Sequence, residues 1–83
     1  MLKKRKIKLR IKEKEVIQKH ISTDFIRLDA FLKLCDAVQS GGHAKIVILD
    51  GEIKLNGEVC VQRGKKLLVG DKVEFENIIY EIV

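Results

Sequence analysis

The chain has no proline and no tryptophan, and aromatic residues make up only 5% of its 83 residues. An aliphatic core is therefore expected, and no turn is fixed by a proline ring. Cysteine is also scarce: Cys35 and Cys60 form no CxxC pair, and no histidine lies at metal-ligand spacing. Small domains of oxidising compartments usually carry a framework of several cysteines. A cytoplasmic chain without metal or cofactor is expected, with Cys35 in the core and Cys60 inside a strand.

Long hydrophobic runs are absent as well. No segment approaches the roughly 20 apolar residues of a membrane span, and no apolar stretch of a secretory signal follows the basic N-terminus. The length fits one domain with a small core, and no carboxylate pair, activated nucleophile or metal cluster is visible. We therefore expect neither an enzyme nor a membrane protein, and no small-molecule substrate.

Positive charge is concentrated at one end of the chain. The net charge is +5, but residues 1–20 hold nine lysines and arginines against Glu13 and Glu15, a net of +7. The remaining residues hold eight basic and ten acidic side chains, a net of −2. Residues 1–14 are interpreted as a basic N-terminal arm or an extra strand, since apolar and cationic residues alternate there. Strand and disordered arm stay equally open.

The first half of the remaining chain predicts a strand and then helix. Residues 15–22 fit a short strand, and Ser22, Thr23 and Asp24 offer side chains that could cap a helix. A helical stripe follows, formed by Leu28, Phe31, Leu32, Cys35 and Val38. This helix is expected to end before residues 40–42, where two glycines supply turn geometry. Residues 43–49 fit both a strand and a short helix.

From residue 52 onward the pattern is that of strands and tight turns. Apolar residues alternate with polar ones, and Asn56-Gly57 is typical of a type I′ hairpin turn. A basic loop follows at residues 63–66, and further turns are predicted at 70–71 and 76–77. The order of strand, helices and hairpins predicts an α+β domain over residues 15–83.

Four blocks of the sequence resemble the S4 RNA-binding domain. They are IRLDAFL at 26–32, AK at 44–45, GEIKLNGEV at 51–59 and VGDKV at 69–73. Residues 23–28, 39–45 and 63–67 are similar to the short stand-alone bacterial S4 proteins of the YaaA type. Many other S4 domains carry Ser-Arg or Arg-Arg where this chain has Gly41-Gly42, so the glycine pair favours that subfamily. The resemblance implies two short helices, the second at 43–49, packed on a small twisted and mostly antiparallel sheet.

The same resemblance implies that the helical face and the adjoining loop meet structured RNA. The candidate contacts are Arg27 and Lys33 on the first helix, Gly41, Gly42, His43 and Lys45 around the second, and Arg63, Lys65 and Lys66 in the loop. Arginines can hold phosphate through two parallel hydrogen bonds, and glycines permit close approach of the RNA backbone.

Each candidate also has a structural explanation. Arg27 could merely pair with Asp29 or Asp24, and Lys33 could be a solvated helix residue. His43 could be an ordinary surface imidazole, and the glycines a plain connection between helices. The predicted function is a non-catalytic RNA-binding protein, monomeric, acting on ribosomal or transfer RNA in ribosome assembly or translation. The alternative is a protein–protein interaction module.

Overall fold

The computed structural model describes residues 14–83, and these residues form an α+β fold with two helices. The elements in chain order are β1 (Glu15–Lys19), β2 (Ile26–Arg27), α1 (Leu28–Leu34), α2 (Gly41–Leu49), β3 (Lys54–Leu55), β4 (Glu58–Val59), β5 (Lys66–Leu67), β6 (Lys72–Phe75) and β7 (Ile78–Ile82). The predicted fold class is confirmed. No helix in this part of the chain is long and apolar enough to cross a membrane.

The strands form one main sheet and one small ribbon. The main sheet has the order β1-β7-β6-β3-β4, in which β1 runs parallel to β7 from the pair Glu15 and Ile78 onward. All other ladders among residues 14–83 are antiparallel. The second sheet is the β2–β5 ribbon, in which Ile26 pairs with Leu67 and Arg27 with Lys66. This ribbon carries Arg27 and Lys66, and the basic loop at residues 63–66 leads into its second strand.

The core is largely aliphatic, as the composition predicts. Both helices turn apolar residues toward β5, β6 and β7, and the ring of Phe31 meets that of Tyr80 edge to face at a centroid distance of 6.5 Å. The buried residues are Leu28, Phe31, Leu32, Val38, Ala44, Val47, Ile48, Ile53, Leu67, Val73, Phe75, Tyr80 and Ile82. Burying such a side chain contributes about 1.5–3 kcal/mol each before entropy is counted. This packing holds the ribbon and the helices at fixed relative positions.

The predicted hairpin between β3 and β4 is confirmed. Asn56 and Gly57 have φ values of 53° and 91°, the left-handed conformations that a type I′ turn requires. Glu76 and Asn77, with φ values of 53° and 66°, make a turn of the same hand between β6 and β7. The turn at residues 76–77 therefore joins two antiparallel strands of the core.

The first helix is shorter than its apolar stripe suggests. It ends at Leu34, and Asp36 adopts a left-handed φ of 57°. The N–H of Asp36 donates to the carbonyl of Lys33, and that of Ala37 to the carbonyl of Leu32. These two bonds form the reversal that commonly closes a helix, here with aspartate in the place usually taken by glycine. Val38 is nevertheless only 4% exposed, because the connection folds back onto the core.

Three other predicted boundaries were wrong. Strand β1 ends at Lys19 and not at residue 22, and residues 22–24 do not cap α1, whose N-cap is Arg27. The Thr23 hydroxyl donates instead to the carbonyl of Phe25 at 2.7 Å. Helix α2 begins at Gly41, two residues earlier than predicted, because Ser40 caps it. The glycine pair therefore opens a helix and does not form a turn.

The remaining sequence predictions concern the cysteines and the basic segment. Cys35 is the half-buried C-cap of α1, where burial raises the pKa of its thiol to about 11. Cys60 is also half-buried but follows β4, so its predicted place inside a strand was wrong. Residues 1–13 of the predicted basic segment lie outside the described residues. Lys14, the last of that segment, forms an ion pair of 2.9 Å with Glu74.

Candidate nucleic-acid interface

The basic loop at residues 63–66 is attached directly to the start of helix α1. The N–H of Leu28 donates to the carbonyl of Lys65 at 2.8 Å, and the N–H of Asp29 to the carbonyl of Arg63 at 3.1 Å. The first N–H groups of a helix have no partner within the helix itself. The loop supplies partners for the first two of them, and α1 has no side-chain bond from its N-cap residue Arg27. Two segments far apart in the chain are thereby held side by side.

Asp29 joins the two arginines of this region. Its carboxylate accepts from Nε and Nη2 of Arg27 at 3.2 and 3.1 Å, and from Nε of Arg63 at 3.3 Å. It also accepts from the backbone N–H of Ala30 at 2.8 Å. The Asp29 side chain is 13% exposed, whereas those of Arg27 and Arg63 are 54% and 43% exposed. A mostly covered carboxylate thus orients two guanidinium groups that face solvent.

The protonation of Asp29 follows from these contacts. Partial burial by itself raises the pKa of its carboxyl, but hydrogen bonds from Arg63, from the N–H of Ala30 and from Arg27 outweigh burial and hold the pKa below its ordinary value. Asp29 is therefore ionised at neutral pH. Within residues 14–83, Arg63 uses only its Nε–H for this bond, so both of its terminal NH₂ groups remain available to an anion.

The outer face of the β2–β5 ribbon adds a lysine and an aromatic ring. Because side chains alternate along a strand, Ile26 and Leu67 point to the core while Arg27 and Lys66 point to solvent. The Lys66 ammonium lies 4.7 Å from the centroid of the Phe25 ring. The guanidinium of Arg27 passes over Gly64, where an added Cβ would lie 3.4 Å from Nη2. Because Gly64 has no side chain, Arg27 can lie across the loop.

A second group of candidate residues lies at the start of α2. The Ser40 hydroxyl accepts from the N–H of His43 at 3.1 Å, and Nδ1 of His43 accepts from the N–H of Gln39 at 3.3 Å. The neutral imidazole therefore carries its proton on Nε2. Gly41 and Gly42 have ordinary helical backbone, and a Cβ at Gly41 would meet nothing within 4 Å. Packing does not require glycine at either position. The effect of the pair is to leave the start of α2 without side chains over its backbone.

The structure brings only some of the predicted residues together. Arg27, Arg63, Lys65 and Lys66, with Asp29, form one group, which we call the basic cluster. Lys33 is exposed in the last turn of α1, about 6 Å along the helix from Asp29. Gly41, Gly42, His43 and Lys45 form the separate group on α2. Arg27 was predicted on the first helix, but it is the last residue of β2 and the N-cap of α1.

Three residues that belong to the candidate site were not predicted from the sequence: Asp29, Gly64 and Phe25. Asp29 was interpreted as a first-turn helix carboxylate and as a possible pairing partner of Arg27, and both are confirmed. Its second bond to Arg63 and the contacts of Gly64 and Phe25 depend on the β2–β5 pairing. The sequence signal for this grouping was the family resemblance, because the blocks at 26–32 and 63–67 both match S4 proteins.

An open groove of about 550 Å³ lies beside the basic cluster. Lys65 and Lys66 line it together with the apolar residues Val59, Val61 and Leu68, which are about half exposed. The groove combines these two cations and an apolar wall with the acidic residues Glu58 and Asp71. It is a surface that either an unpaired nucleotide or an apolar protein segment could contact.

Comparison of the chain with known protein families agrees with the α+β fold described above. The model of the S4 domain matches residues 19–83. The chain therefore belongs to the S4 domain family, and the resemblance stated from the sequence blocks is confirmed.

A particular relative is also similar to much of the chain. The probable ribosome maturation protein RlbA of Bacillus subtilis (strain 168) is 50% identical over 57 residues, which cover 69% of this chain and 80% of that protein.

Proposed function

We propose that this chain is a non-catalytic RNA-binding protein that recognises structured ribosomal or transfer RNA through phosphate and shape contacts. The site would comprise the basic cluster, with Lys33 and the α2 group of Gly41, Gly42, His43 and Lys45 at its margin. Membership of the S4 family supports RNA as the ligand, and similarity to a probable ribosome maturation protein supports a role in ribosome maturation. Such a role is exercised in the cytoplasm, and no second copy is needed for it.

The observation that carries the proposal is the convergence of cations from two distant segments. The chain from residue 21 onward has more acidic than basic residues, so the net charge of this part of the chain does not itself favour a polyanion. Arg27 comes from one side of the β2–β5 ribbon, and Arg63, Lys65 and Lys66 from the other. Asp29 is the acidic group that contacts this cluster in residues 14–83, and it leaves guanidinium donors facing outward. Phosphates along an RNA backbone fit such a row of donors.

The donors of the basic cluster favour recognition of the RNA backbone over recognition of the base sequence. Lysines act as point charges, and the outward arginine donors form a planar fork that suits phosphate oxygens. The deep, narrow major groove of A-form RNA does not admit side chains. A solvent-facing ribbon with cations on both strands can instead lie across the phosphates of a folded RNA.

The test is the salt dependence of RNA binding. Each neutralised phosphate adds about 0.9 to the slope of log affinity against log salt concentration. The double reversal Lys65→Glu and Lys66→Glu is therefore expected to lower the slope by about two units and to weaken binding strongly. The matched control is Lys54→Glu with Lys72→Glu, which changes the net charge equally but on β3 and β6. Equal loss in both double variants would show that only net charge matters, and would refute the assigned surface.

The apolar wall of the groove favours one alternative, a protein–protein interaction module. Val59, Val61 and Leu68 are exposed there and could pack against an apolar partner segment. That reading predicts that binding to the ribosomal target is insensitive to salt and is lost in Val61→Asp. The RNA reading predicts a steep salt dependence of the same binding.

A further inference from the structure

Phe25 differs from every other aromatic residue of the chain in its exposure. The chain has three phenylalanines and one tyrosine, and Phe31, Phe75 and Tyr80 are buried in the core. Phe25 is 42% exposed even with the Lys66 ammonium over its ring. The other large exposed apolar residues among positions 14–83 are aliphatic. A single flat, accessible ring therefore lies at the edge of the basic cluster.

The packing of α1 does not require a residue with a ring at this position. A hydrophobic residue just before the N-cap often packs on the first turns of a helix, and with Arg27 as N-cap that residue is Ile26. Ile26 is half-buried and lies against the core. Phe25 precedes it and belongs to the opposite, solvent-facing side, as strand alternation dictates.

Two contacts hold the backbone on either side of the Phe25 ring. The Thr23 hydroxyl holds the carbonyl of Phe25, and the pairs of Ile26 with Leu67 and Arg27 with Lys66 begin at the next residue. Residues two apart in a strand lie about 7 Å from each other on the same face. Phe25 directly precedes β2, so the backbone of Arg27 lies on the same face two residues away, and the Lys66 ammonium is the cation that contacts the ring.

We propose that Phe25 is a stacking platform for one unpaired base of the bound RNA, whose flanking phosphate is held by Arg27. This inference rests on the proposed function. It narrows the class of RNA ligand to one with an unpaired base, because a continuous duplex offers no free base face. RNA-binding surfaces commonly stack splayed bases on aromatic side chains, and every base has a face that can stack. The preferred ligand is therefore a helix interrupted by a bulge or a loop.

The test compares two RNA duplexes of the same sequence, one fully paired and one with a single bulged purine. The wild-type chain is expected to prefer the bulged duplex, and Phe25→Leu to lose about five- to 100-fold in affinity for it while binding the paired duplex as before. Leucine keeps an apolar side chain of similar bulk but has no ring. Phe25→Tyr is expected to retain the preference. The control is Val16→Thr, which alters an exposed apolar residue of β1 and should change neither affinity.

A second measurement reports stacking directly. Because the chain has no tryptophan, Phe25→Trp introduces a single indole fluorophore. Its emission is expected to be quenched by the bulged duplex and much less by the paired one. Salt-dependent binding of both duplexes with equal affinity, unaffected by Phe25→Leu and without selective quenching, would overturn the stacking platform but leave RNA binding intact. Absence of salt-dependent binding to either duplex would overturn the proposed function, and the platform with it.

Discussion

Replacing Asp29 by asparagine separates the effect of charge from that of side-chain positioning. The substitution removes one negative charge from the basic cluster, and on charge alone it should tighten binding to a polyanion. It also places an amide where a carboxylate accepts bonds from both arginines, so at least one guanidinium N–H loses its partner. If Asp29 acts by orienting Arg27 and Arg63, the variant binds RNA more weakly despite its higher net charge.

The geometry allows both effects to be weighed. A carboxylate about 6 Å from a phosphate in a water-like dielectric repels it by about 0.7 kcal/mol, which the variant would recover. Ordering a flexible side chain at an interface costs about 0.5–1.5 kcal/mol, and both arginines lose their shared charged partner in the variant. The sum of about 1–3 kcal/mol exceeds the recovered repulsion. The difference of about 0.3–2.3 kcal/mol corresponds to RNA binding that is about two- to 50-fold weaker in Asp29→Asn.

The measurement is an RNA titration of wild type, Asp29→Asn and the control Asp24→Asn over several salt concentrations. Asp24 is an exposed neighbour without a contact to either arginine in the described structure, so its substitution changes charge alone. The control is expected to bind slightly more tightly. Tighter binding by both variants would refute the positioning role of Asp29.

Thermal unfolding as a function of pH checks the same contacts. The pKa of Asp29 is lowered in the folded chain relative to about 3.9 in the unfolded chain. Its ionised form therefore stabilises the fold above about pH 4, and this contribution disappears as the pH falls through the folded pKa. The two arginines are about half exposed, so Asp29→Asn should lower the unfolding free energy by only about 1 kcal/mol at neutral pH. A difference that persists unchanged in acid would contradict this assignment.

Three further predictions concern residues with a defined backbone or burial. Alanine at both Gly41 and Gly42 should raise the unfolding free energy by about 0.5–1 kcal/mol per site, measured in urea, because the helix has room for each Cβ. The same variant should weaken RNA binding if the backbone of the RNA approaches there, and unchanged affinity would remove the glycines from the site. Gly57→Ala should cost about 1–2 kcal/mol in the same assay, since φ is 91° at that position, and a neutral effect would contradict the type I′ turn. Cys35, with a thiol pKa of about 11, should resist iodoacetamide at pH 7 in the folded chain and react on unfolding, as followed by mass spectrometry.

The turns and the helix cores could be predicted from local signals. Asn56-Gly57 specifies its turn by itself, because the conformations it favours are those that join two twisted strands. The stripe of Leu28, Phe31 and Leu32 likewise identified the buried face of α1. Helix ends were predicted poorly for a physical reason. The reversal at Asp36 uses a residue other than glycine, and Val38 continues the apolar spacing without continuing the helix.

The start of α1 shows a second limit of local reasoning. The sequence offers three cap-type side chains at residues 22–24, yet the helix N–H groups are satisfied by carbonyls of residues 63 and 65. No short-range pattern contains that information, since it depends on the pairing of β2 with β5. The cations of the site could be named from composition and family resemblance. Their grouping around Asp29 could not, because it results from the same long-range pairing.

The capping arrangement also makes binding and folding of this region interdependent. The loop that carries Arg63, Lys65 and Lys66 supplies the carbonyl partners for α1, so the loop cannot move away without exposing helix N–H groups that lack a partner. The backbone of the basic cluster is consequently held in one arrangement, which would leave little backbone ordering cost for the binding of an anion. A surface of modest charge can then bind a polyanion well, because its donors are already aimed. In this domain the topology of the β2–β5 ribbon, more than the number of basic residues, brings the basic cluster together.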